Sequence, residues 1–504
     1  MRMVDAQSEE RIAFGTARAR WVLAATALGS GMAFLDGTVV NVALPSMGQD
    51  LNADIAGLQW IINGYMLMLA SLILLSGSLG DRLGRRRTFV AGVIWFAIAS
   101  LVCAVAPNLE VMIAGRVLQG IGGALLTPGS LAILQTSFRH SDRGKAVGAW
   151  SGLTSVAAAI GPFVGGWLVD SGSWRWIFLL NLPLAAVTVL VTLRHVPESR
   201  DETSTGKLDV AGAALATIGL AGLTFGLIHA GERGFGDAVV LTALAIGVIG
   251  LAAFVEIERR SSHPMLPPGI FANLRFTGAN LVTVVVYGAL GTATFLLVVY
   301  LQTALGYEAL TAGAALLPMT ILMLTLSGYA GSLSERIGAR IPMTIGPLFM
   351  AGGFLLMMMV KPGAGYFTAV LPSVVVLGIG LVCTVAPLTA TVLSSVEDHH
   401  AGVASGVNNA IARSAQLMAV AAIPLAAGIT GDSYRDPDAF SDGFQMAMWI
   451  SAALAAAGAV IAWFTLAERK PVEQEPVERE PQLHHRHCSL EAPPLANTPS
   501  TTPR

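Results

Sequence analysis

Charge is scarce in this sequence. Only 12% of its 504 residues are charged, against about 25% in an average soluble domain, while 54% are hydrophobic and the mean hydropathy is +0.65. This composition excludes an ordinary soluble protein and indicates a chain that crosses a membrane many times. Cysteine is also rare. Cys103 and Cys383 lie in apolar runs and Cys488 in a polar tail, so a disulfide framework is not expected.

Sequence motifs of enzymes and of ATP-driven pumps are missing as well. The chain has no phosphate-binding loop of the Gly-x-x-x-x-Gly-Lys-Ser/Thr type and no nucleophile elbow. Its one His/Cys-rich run, 484–488 (HHRHC), could bind a metal ion but is interpreted as part of a disordered, solvated tail. We therefore expect no enzymatic activity, no cofactor, no metal site and no nucleic-acid partner.

Long apolar runs fill most of the chain. A bilayer core of about 30 Å needs roughly 20 apolar residues per helix, and the sequence contains fourteen such runs. The predicted spans are 21–43, 58–79, 88–106, 112–134, 146–168, 176–194, 209–230, 239–258, 276–301, 311–331, 342–360, 366–390, 403–427 and 444–466.

Basic residues between these spans are unevenly distributed. With the N-terminus in the cytoplasm, the inner segments before residue 445 carry 19 Lys and Arg, and the outer segments carry four. The positive-inside rule therefore places both termini in the cytoplasm. Arginine outnumbers lysine 26 to 4, which is typical of a GC-rich bacterial genome. We predict a multi-pass protein of the bacterial cytoplasmic membrane whose first span is its own targeting element.

An eleven-residue stretch occurs twice and predicts a doubled architecture. Residues 77–87 read GSLGDRLGRRR and residues 331–341 read GSLSERIGARI. The copies lie 254 residues apart, more than six spans require, so two extra helices are expected between the halves. The predicted segments are an N-terminal segment 1–20, a six-helix bundle 21–194, a linker 195–208, a two-helix insert 209–258, a linker 259–275, a second six-helix bundle 276–466 and a disordered tail 467–504.

Five stretches together carry a resemblance to a known family. The loop at 77–87 resembles the loop signature of the major facilitator superfamily. Residues 35–45 (LDGTVVNVALP), 116–123 (RVLQGIGG), 161–166 (GPFVGG) and 174–183 (WRWIFLLNLP) resemble motifs of its fourteen-span drug:proton antiporters. The resemblance covers about residues 20–466. One departure is Ala157, where that family often has glycine.

The resemblance implies a fold and a function. The fold is an all-α polytopic membrane protein with two six-helix bundles and two inserted helices. The function is proton-driven export of amphipathic or cationic organic compounds, with small-molecule drugs, protons and membrane lipids as partners and a monomeric state. Two alternatives stay open. The same fold could export an endogenous lipid, siderophore or antibiotic, or the chain could be a non-transporting membrane sensor or scaffold.

Two of the motifs predict moving parts. The repeated loop predicts a cytoplasmic gate in which paired charges stabilise one of two states. The alternative is that its basic residues only set the topology by the positive-inside rule. Its residues are Gly77, Asp81, Arg82, Gly84, Arg85, Glu335 and Arg336. The fifth-span motif predicts a bend in the helix that seals the outer side. The alternative is that its small residues only allow close helix packing. Its residues are Gly161, Pro162, Gly165 and Gly166.

Ionisable residues inside a span are costly and are functional candidates by default. Asp36 is the one carboxylate that lies well inside a predicted span, and Arg116 lies at a similar depth in the fourth. The family places both spans around a central cavity, so we expect the two to interact directly or through water. Asp36 is predicted to accept a proton or a cationic substrate, and Arg116 to couple or gate. The alternatives are a structural hydrogen-bond partner and a structural ion pair. Arg413 is interpreted as structural.

The cavity-lining residues are predicted from the family's helix arrangement. Sparse polar and aromatic anchors among aliphatic side chains suit amphipathic or cationic molecules, and aromatic rings can hold quaternary ammonium groups. For each aromatic residue, packing or an interfacial position remains the alternative. The candidate residues are Trp60, Asn63, Tyr65, Gln119, Asn280 and Tyr287.

Overall fold

The chain folds into a bundle of long helices, known here from a computed structural model that describes residues 12–200, 208–261, 264–397, 401–431 and 433–466. All regular elements within these ranges are helices. More than half of the predicted N-terminal segment, half of the first linker and the whole predicted tail lie outside the described residues, as does the side chain of Glu335.

The first half contains seven helices that form six membrane spans. They are α1 Ala17–Asp50, α2 Ile55–Leu83, α3 Arg85–Ala104, α4 Leu109–Ser137, α5 Arg143–Ser171, α6 Arg175–Leu179 and α7 Asn181–His195. Two further helices, α8 Val210–Arg233 and α9 Ala238–Arg260, connect it to the second half.

The second half repeats the arrangement. It consists of α10 Leu274–Thr303, α11 Ala309–Ala314, α12 Leu317–Ile337, α13 Arg340–Met357, a π-helical turn Tyr366–Val370, α14 Leu371–Ser394, α15 Ala401–Ala426 and α16 Pro437–Thr465. Thirteen helical segments of the described chain are long and apolar enough to cross a membrane, and α15 is the fourteenth long segment. The predicted all-helical fold of membrane spans is confirmed.

The helices are longer than the predicted spans because they continue to their caps. The first span was expected at 21–43, yet α1 runs from Ala17 to Asp50. Side chains accept hydrogen bonds from the free N–H groups of the first turn, as Thr16 does for α1, Asp54 for α2 and Asn108 for α4. Polar end turns thus stay helical although hydropathy alone places them outside the membrane core.

Prolines interrupt two spans that were predicted as continuous. The sixth span divides into α6 and α7 around Leu180, and the tenth into α11 and α12 around Leu316. Proline has no N–H to donate to the carbonyl four residues earlier. Pro183 and Pro318 stand four residues after the last residues of α6 and α11, which accounts for both breaks.

The connecting helices lie outside the two bundles. α8 packs against α2 of the first half and α15 of the second, while α9 packs against α8 and is largely exposed. Glycines make the α8–α9 contact close: a Cβ on Gly222 would stand 2.7 Å from the carbonyl oxygen of Ala243. Within the described residues, no side chain of α8 or α9 lines the central cavity.

The helices of the bundle end at two opposite faces. The basic face is the end where α2 meets α3, around residues 80–88. The opposite face is the end where α1 meets α2, around residues 50–55. Because successive spans alternate in direction, all ends of the spans belong to one of these two faces.

Candidate functional site

A buried ion pair lies in the middle of the first half. Asp36 of α1 and Arg116 of α4 meet with an Oδ2–Nη1 distance of 2.6 Å. Their side chains are 1% and 2% exposed. Of the two arrangements that the sequence left open, the structure has the direct contact.

Polar partners satisfy nearly every group of this pair. Gln119 donates from Nε2 to Asp36 Oδ1 at 2.8 Å and accepts from Arg116 Nη1 through Oε1. Asn181 donates to the same Asp36 oxygen at 3.4 Å, and Arg116 Nε donates to the carbonyl oxygen of Ile61 at 3.0 Å. A buried ion pair is stable only when such bonds replace the lost water.

Aromatic rings close the pair off from its surroundings. The Arg116 guanidinium carbon lies 4.6 Å from the centre of the Tyr65 ring and 5.9 Å from that of Phe178. Both rings are buried, and Tyr65 also lines the cavity. One aromatic ring therefore separates the ion pair from the space between the halves.

Sequence reasoning missed two members of this cluster. Ser100 Oγ accepts hydrogen bonds from Gln119 at 2.9 Å and from Asn181 at 3.3 Å. Asn181 stood inside a quoted motif without an assigned role, although an asparagine between leucines in a span is itself a signal. Nothing in the pattern around Ser100 distinguishes it from other small residues in membrane helices.

Two adjoining cavities lie between the halves. Their volumes are about 200 and 180 Å³, and both are lined by Phe34, Arg413 and Gln416. Three predicted residues line them: Asn63 and Tyr65 the larger cavity, and Tyr287 the smaller.

The other three predicted cavity residues lie elsewhere, and the prediction is corrected for them. Trp60 packs against Phe225 of α8, with ring centres 6.2 Å apart. Gln119 belongs to the ion-pair cluster. Asn280 does not border either cavity, and its Oδ1 accepts a hydrogen bond from Asn408 Nδ2 at 3.0 Å. Each sits on a cavity-forming helix but on a different side of it.

Glycines of the fifth-span motif bring three helices together. A Cβ on Gly165 would stand 2.8 Å from the Val39 side chain of α1, and one on Gly166 would overlap the backbone of Leu310 in α11. A Cβ on Gly313 would overlap the carbonyl group of Pro162. No larger residue fits these positions without movement of a helix, so α5 and α11 join the halves here.

Hydrogen bonds reinforce the same junction. Asp170 of α5 accepts from the backbone N–H groups of Ala309 and Leu310 at 3.2 and 2.8 Å, which caps α11. Further toward the opposite face, Gln302 donates to the carbonyl oxygen of Val42, and Tyr434 donates to that of Ala53. The two halves are therefore bonded to each other at the opposite face.

Toward the basic face the same helices are less closely packed. A Cβ on Gly144 or Gly148 of α5, or on Gly328 of α12, would meet no atom within 4 Å, and Tyr329 is 68% exposed. The halves are joined at the opposite face, and α5 and α12 lie apart toward the basic face while α2 and α15 stay in contact. This is the geometry of a cavity open on the basic side between α5 and α12.

The predicted gate loop contains a local ion pair. Arg85 binds Asp81 Oδ1 through Nη2 at 2.6 Å and Nε at 2.9 Å, within the first half. Gly84 has a φ of +104°, which favours glycine, and a Cβ there would also meet the Glu198 carboxylate at 2.7 Å. Gly77 is helical with open space around it, so close approach does not explain that glycine in this state.

The second copy of the loop keeps the backbone but not the contacts. Gly338 has a φ of +82° and ends α12, as Gly84 ends α2. Arg336 lies exposed in the last turn. Arg340 stacks on Trp463, with its guanidinium carbon 3.8 Å from the ring centre. The positive backbone angle is thus common to both halves.

Two related half-bundles of membrane-length helices around a cavity define a membrane transporter rather than an enzyme. A sequence profile of the Major Facilitator Superfamily matches residues 26–420. The chain belongs to the major facilitator superfamily, as its motifs predicted.

Similar proteins are named for drug resistance. The chain is 36% identical to the methylenomycin A resistance protein of Streptomyces coelicolor over 81% of this chain and 86% of that protein. It is 33% identical to the puromycin resistance protein pur8 of Streptomyces alboniger, over 89% and 92%. It is 32% identical to the multidrug resistance protein Stp of Mycobacterium tuberculosis, over 77% and 72%.

Solved structures share the fold at low sequence identity. A peptide transporter POT mutant matches with a TM-score of 0.65 and 14% identity, over 91% of this chain and 97% of that chain. The xylose transporter XylE from E. coli, in an inward open conformation, matches with a TM-score of 0.58 and 17% identity, over 89% and 96%.

We expect Gly313→Leu to open the junction at the opposite face, because its side chain must displace the Pro162 backbone. A cysteine replacing Asn41 on the cavity wall, in a chain without its native cysteines, should then react several-fold faster with a membrane-impermeant thiol reagent added from the opposite face. Gly328→Leu, in open space nearer the basic face, is the matched control and should leave the rate unchanged. Equal rates for both variants would contradict the seal.

We expect Arg116→Met to lower the stability of the purified protein strongly, because it leaves Asp36 buried and unpaired. Breaking a buried pair from one side costs about 3–5 kcal/mol. Adding Asp36→Asn to that variant should recover most of the loss, measured as the midpoint of thermal unfolding in detergent. A double variant no more stable than Arg116→Met would show that the charge of Asp36 is not what destabilises the single variant.

Proposed function

We propose that this chain exports amphipathic drug-like molecules from the cytoplasm in exchange for protons, across the cytoplasmic membrane of a bacterium, as a monomer surrounded by lipid. The basic face is then the cytoplasmic face, and the state that is open on the basic side is inward-open. The observation that carries the proposal is the Asp36–Arg116 pair, buried one ring away from a cavity between the halves.

Asp36 is positioned to convert proton binding into a change of cavity shape. It shares α1 with Phe34 and Asn41 of the cavity wall, and its carboxylate holds α1 to α4 through Arg116. Protonation of Asp36 removes one of the two charges and weakens that link, so α1 and α4 are freed to shift relative to each other. A conformational change of this kind needs a differential interaction with the two states, which the proton supplies.

The loop at 77–87 is the proposed gate on the cytoplasmic side. In the inward-open state Asp81 and Arg85 bind each other and leave the second half free. When the halves approach on this side, the same charges can exchange partners and stabilise the closed state. Arg82 and Arg336 are proposed to contribute to the gate through charge, and Gly84 through its turn. Gly77 and Glu335 belong to the two copies of this loop and are included in the proposed gate.

Other functions of the same fold lead to different results in one assay. An exporter of an endogenous lipid, siderophore or antibiotic would exchange protons only with that compound. A sensor or scaffold would exchange none. Everted vesicles loaded with a pH-sensitive dye and challenged first with a panel of drugs, then with a panel of lipids, siderophores and antibiotics, separate the three. The similar resistance proteins support drugs as the first panel to test.

We expect Asp36→Asn to abolish drug-induced proton release from everted vesicles while expression stays at the wild-type level, because asparagine keeps the shape but carries no exchangeable proton. Asp50→Asn is the matched control on the same helix, where Asp50 bonds Arg175 at the opposite face, and it should release protons normally. Undiminished release from the Asp36→Asn vesicles would remove this carboxylate from the mechanism.

We expect Asp81→Ala to slow transport turnover more than it weakens drug binding, because the loop is half a membrane away from the cavity. It should also raise the reactivity of single cysteines on the cytoplasmic side of the cavity. Glu256→Ala is the matched control: Glu256 and Arg260 form the same i,i+4 pair on exposed α9, and neither measurement should change. If binding collapses while cysteine reactivity stays constant, the loop is not a gate and its arginines only set topology.

A further inference from the structure

The charge inside the cavity is not balanced. Among the residues that line the two adjoining cavities, Arg413 is the one with a formal charge, and it borders both of them. The one intramembrane carboxylate near it, Asp36, faces the other side of the Tyr65 ring and is held by Arg116, Gln119 and Asn181. A molecule in the cavity therefore meets a positive group and no negative one.

Arg413 has few protein partners to neutralise it. Its Nη1 donates to Gln416 Oε1 at 3.3 Å, and its guanidinium carbon lies 6.0 Å from the centre of the Phe34 ring. Within the parts of the chain that the structure describes, no Asp or Glu forms a salt bridge with it. A guanidinium has five N–H donors arranged as a fork that matches a carboxylate. Most of the donors of Arg413 are available to bond a ligand.

A second polar group that lines the larger cavity has no partner among the described protein groups. Asn63 is 0% exposed, and neither Nδ2 nor Oδ1 of its amide forms a hydrogen bond with another described residue. Burying an unsatisfied polar group costs free energy, so a ligand that hydrogen-bonds this amide gains affinity. Phe34, Tyr65 and Met66 supply the apolar wall beside it.

We propose that Arg413 and Asn63 form an anion subsite, and that the substrates include amphipathic molecules with a carboxylate or similar acidic group. This inference rests on the proposed export function and names a substrate class for it. The acidic group binds the Arg413 fork, the apolar body lies along Phe34 and Tyr65, and Asn63 bonds a polar atom of the body. A cationic group at the same place is repelled by Arg413.

Three probes with one ring system test the subsite: 1-pyrenebutyrate, its methyl ester, and the matching pyrenylbutyl-trimethylammonium ion. Binding to purified full-length protein is measured by equilibrium dialysis in detergent, with protein-free micelles as the blank. The acid can form charged hydrogen bonds with Arg413 and the ester cannot, so the wild type should bind the acid at least about tenfold more tightly than the ester. No preference for the acid, or a preference for the ammonium ion, would overturn the proposal.

Variants then assign the preference to Arg413. Arg413→Gln should bind the acid no better than the ester. An affinity for the ester within about twofold of the wild-type value would show that this variant is folded. Arg413→Lys should keep part of the preference, since a point charge replaces the fork. Arg260→Gln, at an exposed arginine of α9, is the matched control. A preference that survives in Arg413→Gln would show that the acid binds elsewhere.

Two further experiments separate the proposed substrate subsite from a lipid-binding site and from the export function. Added phosphatidylglycerol that displaces the acid would assign the subsite to anionic lipid and overturn the substrate claim. Proton-coupled transport of the three probes is measured in proteoliposomes. Transport of the ester without any acid preference in binding refutes the subsite and leaves the export function standing. An acid preference in binding, with no transport of any probe and no drug-induced proton release from everted vesicles, refutes the export function and leaves the anion subsite standing.

Discussion

A buried carboxylate that must be matched inside a lipid-embedded bundle determines the centre of this protein. Asp36 has almost no access to water, so its charge is tolerated only with Arg116 beside it and with Gln119 and Asn181 bonding its oxygens. Those partners come from α4 and α7, and Tyr65 of α2 covers the pair. Four of the six spans of the first half are thereby fixed around one side chain. Any event that changes its charge changes the packing of all four.

Close backbone contact provides the other constraint. The junction at the opposite face depends on glycines of α5 and α11 that leave no room for a side chain, and on Asp170, which caps a helix of the other half. Buried apolar side chains of both halves, among them Val39 and Ala312, also belong to one continuous hydrophobic core. The junction therefore combines close backbone contact with apolar packing, and both must be released if the halves separate on this side.

Prediction from the sequence succeeded for features that depend on composition and spacing. It failed for features that depend on which side of a helix a residue occupies. The membrane-length helices are visible in hydropathy, and the Asp36–Arg116 pair is visible as lone charges inside apolar runs. Trp60 was misplaced because a membrane helix is apolar on all sides, so no periodicity tells which side faces the cavity and which faces α8. The position of Arg413 beside the cavity was missed for a related reason. An arginine without a sequence neighbour to pair with has no pattern that shows whether it snorkels or borders a cavity.

Separation of the two charges has a consequence for how transport and proton movement are coupled. The negative charge lies behind the Tyr65 ring and the positive charge borders the cavity, so a substrate in this state cannot reach Asp36. In the proton-coupled export that we propose, substrate and proton therefore do not compete directly for this carboxylate in the inward-open state. The proposed coupling runs through the position of α1, which carries both Asp36 and Phe34. A substrate that draws Phe34 toward Arg413 acts on the same helix as a proton that weakens the Asp36–Arg116 pair, and Tyr65 of α2, which borders both the cavity and Arg116, is a second link between the two events.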